Sequence, residues 1–174
     1  MKTVRNSRKK IKEFIRESNA IEGVYDEVSF DQALLAWDFL MKHKKMTVGL
    51  ILKVHKILML HQNLQPDEKG YIRKCEVTIG GRYGLNSELV PKALEQWALN
   101  VNDLVENGKN QPESFYELMT KKHHVVYENI HPFVDGNGRT GRMFLNWERL
   151  MVGLPLLIVH EGAEQMEYYK WFRE

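Results

Sequence analysis

The sequence predicts a mainly α protein with one small β-hairpin flap, and three observations carry that expectation. Helix start marks precede several apolar-periodic segments, glycine-flanked alternation is found at 70–84, and no Pro/Ser-rich linker or internal repeat divides the 174 residues. An apolar share of 43% supplies one sizeable core and too little for two, so 1–174 is expected to be a single domain.

The first helix is expected at about 3–22, with Ile11, Phe14, Ile15 and Ile21 inward and Gly23 ending it in the left-handed conformation. Ser29 with Gln32 three residues on makes a capping-box pattern, and Thr47 precedes the apolar run VGLILKVHKILML. Between them and the middle of the chain lies GYIRKCEVTIGGRYG, where Cys75, Val77 and Ile79 alternate with Lys74, Glu76 and Thr78, a hairpin or flap. A helix at 88–106 follows, capped by Ser87, with Pro91 tolerated in its first turn and Leu94, Trp97, Val101, Leu104 and Val105 at helical spacing. Pro112 opens PESFYELMTKKHHVVYENI, and RTGRMFLNWERLM reads as another helix with Met143, Leu150 and Met151 available for the core.

Composition removes several function classes. A net charge of +2 does not ask for a nucleic-acid partner, and Lys2, Arg5, Arg8, Lys9, Lys10 and Lys12 read as a solvated helix face. Cys75 is a single cysteine, unable to form an internal disulfide or a CxxC pair. No apolar run approaches the ~20 residues of a membrane span and no signal-type segment opens the chain, so a cytoplasmic protein without a membrane partner is expected.

The stretch IHPFVDGNGRTGR, 130–142, concentrates chemistry. Gly136 and Gly138 flank Asn137 and let consecutive backbone N–H groups turn inward as an anion-binding set at a helix N-terminus. Arg139 and Arg142, three apart on one face, can grip phosphate oxygens bidentately, which suits a di- or triphosphate. Asp135 beside such a site can hold Mg²⁺ together with phosphate oxygens. His131 is the nearby side chain whose ordinary pKa suits a general base near neutral pH.

Those residues, His131-Pro132-Phe133-Val134-Asp135-Gly136-Asn137-Gly138-Arg139-Thr140-Gly141-Arg142, match every position of the signature HPFx(D/E)GNGRxxR, so the chain resembles the Fic family. The resemblance implies a Fic-type helical bundle and transfer of AMP from ATP to a hydroxyl of a target protein. It implies that His131 deprotonates the hydroxyl, Asp135 holds Mg²⁺, Gly136, Asn137, Gly138 and Arg139 cradle the phosphates, and Arg142 orients the γ-phosphate. A kinase-like branch carries lysine at the second motif glycine; Gly138 here favours AMP transfer.

SNAIEG, 18–23, resembles the family's inhibitory pattern (S/T)xxxE(G/N), which implies that Glu22, one helical turn from Ser18, pairs with Arg142 and keeps the γ-phosphate out. In some relatives the same glutamate supports removal of AMP, so a de-AMPylating hydrolase is an alternative activity. GYIRKCEVTIGG resembles the family's flap, with Gly70, Arg73, Val77, Ile79 and Gly80 at the matching positions. Such a flap presents a Ser, Thr or Tyr hydroxyl of a docked protein to His131, and self-modification and homo-oligomers fit the same scheme. Tyr168 and Tyr169, after VGLPLLIV, resemble the segment near the nucleoside. Two rival readings differ in class. A metal hydrolase would use His124 and Glu128, one turn apart, with His131 or His123, but it leaves the glycine loop and both arginines unexplained. A non-catalytic nucleotide-binding regulatory module would have no need of His131.

Overall fold

A computed structural model describes residues 7–173, so the expected helix start at Thr3 and the basic Lys2 and Arg5 lie outside the described residues. Seven α-helices and a two-stranded hairpin form among them. In order they are α1 (Arg8–Ala20), α2 (Glu27–Leu40), α3 (Val48–Leu58), β1 (Thr78–Ile79), β2 (Arg82–Tyr83), α4 (Val90–Asn107), α5 (Glu113–Ile130), α6 (Asn137–Met151) and α7 (Ala163–Lys170).

Local capping chemistry decides where the helices start. Thr47 Oγ1 accepts the Leu50 N–H at 3.1 Å and Pro112 opens α5, as the sequence predicts. Two expected caps move. Asp26, not Ser29, opens α2, because its carboxylate accepts the Ser29 N–H at 2.8 Å and is the stronger acceptor at a positive helix end. Asn86, not Ser87, caps a short 3₁₀ turn over Ser87–Leu89 that leads into α4; Ser87 instead binds Glu76 of the flap through N and Oγ, at 2.9 and 2.8 Å. At the end of α1, Gly23 is left-handed (φ 68°) as expected, yet the helix stops at Ala20 and Glu22 belongs to the turn.

The core is built around α6, which packs against α1, α3, α4 and α5. Every residue from Arg139 to Arg149 is buried, so its polar groups must find partners inside. Glu148 meets His123 at 2.6 Å, Asn146 exchanges two hydrogen bonds with the Leu157 backbone at 2.7 and 3.0 Å, and Arg149 reaches the Pro155 carbonyl at 3.0 Å. Trp97, Tyr127 and Phe144 fill the space towards α4 and α5, with ring centroids 5.0 to 5.9 Å apart. A helix held from all sides keeps its N-terminus in one place, and that N-terminus is where the motif loop delivers the chain.

The flap ladder pairs Thr78 with Tyr83 and Ile79 with Arg82 around the left-handed Gly80 and Gly81, and the Gly84 N–H extends it by one bond to the Val77 carbonyl at 2.8 Å. Nearer its base the expected hairpin gives way to contacts organised by buried Arg73. Its guanidinium donates to the carbonyls of His131 (2.6 Å), Cys75 (2.7 Å), Ile130 (3.3 Å) and Leu85, and its own N–H donates to Pro132 at 2.9 Å. One cation thereby fastens the base of the flap to the loop that carries His131.

Candidate active site

His131 ends α5 in the left-handed region (φ 49°, ψ 63°), a conformation that costs energy for a residue with a Cβ and is held by the surrounding contacts. Its Nδ1 lies 3.2 Å from the Glu128 carbonyl, which can only accept, so Nδ1 carries the proton and Nε2 is left with its lone pair. Burial, reinforced by the Arg73 charge, holds its pKa below the ordinary histidine value. The lowered pKa favours the neutral imidazole at pH 7, with the Nε2 lone pair open.

Beyond Pro132 the loop closes on Asn137. Its amide accepts the Phe133 N–H at 2.9 Å and donates to the Phe133 carbonyl at 2.8 Å, both buried. The Asn137 side chain is thus committed to the loop, and what it can offer an anion is its backbone N–H. Asn137→Ala should destabilise the fold by about 2 to 4 kcal/mol, because two backbone groups lose their partners inside the protein; a lowered urea midpoint at unchanged slope is the expected reading.

Gly136, left-handed at φ 79°, starts α6, and the Thr140 N–H is the first to bond back into the helix, at 3.0 Å to the Gly136 carbonyl. The N–H groups of Asn137, Gly138 and Arg139 precede that bond and form the positive end of the helix dipole. Arg139 lies against them, buried, with Nη2 on the Met59 sulfur at 3.3 Å and with Nε and Nη1 lacking any hydrogen-bond partner among the described residues. Burial lowers its pKa without neutralising it. Orphaned guanidinium donors beside free helix amides are a site built for anion oxygens. Asp135, mostly exposed, takes the Gly136 N–H at 2.6 Å and stands 3.7 Å from Arg139, which leaves lone pairs open to a hard cation.

Arg142 closes the other side. Its Nε donates to Ser18 Oγ at 2.9 Å, and its Nη2 donates to the Ser18 carbonyl at 2.8 Å and to Glu22 Oε1 at 2.7 Å. Burial alone would lower the Arg142 pKa, but Tyr168 and the Glu22 carboxylate raise it. Ser18 and Glu22 do converge on Arg142, one from the last turn of α1 and the other from the turn after it. Gly138 makes this contact sterically allowed, since a Cβ there would overlap Glu22 Oε1. A cavity of about 720 Å³ collects Glu22, His131, Gly138 and Arg142 with Ile79, Gly80, Tyr168 and Tyr169, a volume suited to a nucleotide. Asp135, on the loop, and Arg139, in the first turn of α6, are not among the residues that line this cavity. Tyr168 is buried and its hydroxyl shares a 2.7 Å hydrogen bond with His124, so it forms the wall of the cavity, whereas Tyr169 is half-buried.

The defining pattern of the Fic/DOC family matches residues 45–148, well over half of the chain. The chain belongs to the Fic/DOC family. This Fic chain is 28% identical over 137 residues to the protein adenylyltransferase Fic of Drosophila grimshawi, covering 77% of the chain and 26% of that protein. It is 28% identical over 165 residues to the protein adenylyltransferase Fic of Aedes aegypti, covering 91% of the chain and 30% of that protein. The Fic chain therefore spans under a third of the length of these two curated relatives. A Fic domain containing signaling protein from Bacteroides thetaiotaomicron shares the fold, with a TM-score of 0.75 at 17% identity over 95% of this chain and 70% of that one.

The Fic loop has supports that sequence reasoning did not name. His55 of α3 stacks on Phe133 (centroids 3.6 Å apart); it accepts the Gly70 N–H at Nδ1 (2.9 Å), so Nε2 carries the proton and donates to the Asp135 carbonyl (2.9 Å). Burial pushes its pKa down to about 4, which keeps the neutral form that both bonds require. The available signal was a histidine interrupting the apolar run VGLILKVHKILML. His124 and Glu128 of the metal-hydrolase alternative lie beside Gly141, and among the described residues no group of three or more His, Cys, Asp or Glu side chains is placed to hold a metal ion. No helix among the described residues is long and apolar enough to cross a membrane.

Proposed function

We propose that this chain is an autoinhibited protein adenylyltransferase that moves AMP from ATP to a Ser, Thr or Tyr hydroxyl of a target protein. The observation that carries the reading is that Glu22 holds Arg142 at 2.7 Å in the same cavity that His131 and the α6 N-terminus share. The names of the curated relatives support the activity class. The reading treats 1–174 as one domain in which residues 1–23 inhibit, 70–84 dock the target and 131–142 do the chemistry.

In the proposed reaction the target oxygen attacks the α-phosphorus, its proton passes to His131 Nε2, and the bond from the α-phosphorus to the bridging oxygen breaks to release pyrophosphate. The backbone N–H groups of Asn137, Gly138 and Arg139 with the Arg139 guanidinium hold the phosphate oxygens, and Arg142, once free of Glu22, takes the γ-phosphate. Asp135 fits Mg²⁺ by its exposed carboxylate next to that phosphate site, and the ion would supply charge neutralisation there. The flap, fastened by Arg73 to the His131 loop, has an edge strand open to backbone pairing with a target segment, another copy of the chain included. The scheme calls for no nucleic acid or membrane and suits the cytoplasm.

The test is the Glu22→Gly variant offered ATP labelled at the α or the γ position together with lysate proteins. Label retained on protein from the α position alone is expected. Retention from γ would make it a kinase, and retention from neither, with label released from a pre-AMPylated protein by the chain that keeps Glu22, would make it a hydrolase.

A further inference from the structure

Behind Arg142 lies a buried polar cluster that the proposed transfer does not use. Glu128 and His124 stand one turn apart on α5, both buried, and Glu128 Oε1 and His124 Nδ1 find no hydrogen-bond partner among the described residues. His124 Nε2 shares its hydrogen bond with the phenol of Tyr168 from α7. The Glu128 carboxyl has a seat made for it. Oε1 rests on Gly141, where any Cβ would overlap it, although a glycine inside a helix costs up to about 1 kcal/mol relative to alanine.

Glu128 also lines the cavity together with Glu22 and Arg142. The titratable and charged groups that face it are Glu22 from the turn after α1, Arg142 from α6, Tyr168 from α7, and His124 and Tyr127 on its own helix. Burial raises its carboxyl to about 7; the Glu22 charge adds to that rise and the Arg142 charge opposes it. A carboxyl with one buried oxygen unpartnered is expensive, and this one lines the cavity beside Arg142, where the last phosphate of a nucleotide would meet that guanidinium.

We propose that Glu128 is a specificity-determining residue of the cavity: its carboxylate, beside Arg142, opposes the terminal phosphate of a nucleoside triphosphate and leaves a monophosphate untouched. The inference rests on the nucleotide reading above. Glu22 then blocks the triphosphate directly, while Glu128 sets how tightly it is held once Glu22 has left. Because a triphosphate adds negative charge beside it, Glu128 takes up a proton on binding, and ATP binds more weakly as pH rises through the range in which Glu128 ionises.

The experiment uses the chain carrying Glu22→Gly and His131→Ala, which removes the competing carboxylate and the base and leaves at most about a hundredth of the turnover. ATP and AMP are titrated calorimetrically from about pH 6 to about pH 8, with Glu128 present and with Glu128→Gln. ATP is expected to weaken about five- to tenfold over that range when Glu128 is present and to stay closer to constant in Glu128→Gln, where it binds more tightly at the upper pH. AMP should bind alike in both. Titration of ATP itself is common to the two proteins and cancels in their comparison. Glu128→Met, similar in volume and without a charge, is the second variant and should behave as Glu128→Gln does. Parallel ATP profiles, weaker ATP binding in the variants, or an equal shift for AMP would overturn the assignment while leaving the nucleotide site standing. Failure of every protein to bind ATP would overturn the nucleotide reading and this inference with it.

Discussion

Glu22→Gly should raise AMP transfer about tenfold. Arg142 cannot hold Glu22 Oε1 at 2.7 Å and a γ-phosphate with the same Nη2 at once, so the two compete for one guanidinium. A hydrogen bond between charged groups contributes about 1.5 to 3 kcal/mol. The Glu22 side chain is 38% exposed and solvent screens it, which brings the figure down to about 1.4 kcal/mol, a factor of about ten. Glycine at 22 removes the carboxylate and leaves the Ser18 contacts with Arg142 in place, so the guanidinium stays at the cavity. The check is the initial rate of α-label transfer for the two proteins at equal concentration and subsaturating ATP.

His131→Ala in the Glu22→Gly background should cost at least about 100-fold, since a positioned general base contributes about 10² to 10⁴. The pH profile separates this role from a structural one. A depressed imidazole pKa means that the base is already free at pH 7, so transfer should be level near neutrality and fall as pH drops through a midpoint below the ordinary value of about 6.5. Removing Glu22 takes away a charge that pulls this pKa upwards, so the midpoint in Glu22→Gly should lie lower still. The residual activity of His131→Ala should lack the acid limb attributed to this imidazole. A limb of the same midpoint in both proteins would assign the titration to another group.

How far the site was legible in the sequence depended on the range of the contacts. The run 130–142 is nearly self-contained: the Asn137 amide meets Phe133 four residues away, and Gly136 supplies the turn into α6, so residue types and spacing announced an anion site. The Glu22–Arg142 contact spans 120 positions and was foreseen only through the resemblance of SNAIEG to an inhibitory pattern. Helix starts were read well where one strong acceptor stood alone, as Thr47 did, and misread where Asp26 or Asn86 competed with a serine nearby. His55 escaped assignment, and Arg73 was placed in the flap without its contacts, because their carbonyl partners on the motif loop lie 80 and 58 positions away and nothing local in α3 or the flap says which carbonyls they will meet. The helical class itself followed from period and caps. The short pairing of the flap did not, because alternation at 74–79 reports side-chain facing and not how far a ladder extends.

The most direct measurement of the central claim is a double-mutant cycle on the rate of α-label transfer with wild type, Glu22→Gly, Arg142→Ala and the pair combined. If Glu22 inhibits by occupying Arg142, Glu22→Gly raises the rate about tenfold when Arg142 is present and leaves the residual rate unchanged when it is alanine. An equal rise in both backgrounds would contradict the account, because Glu22 would then be restraining the enzyme through something other than Arg142.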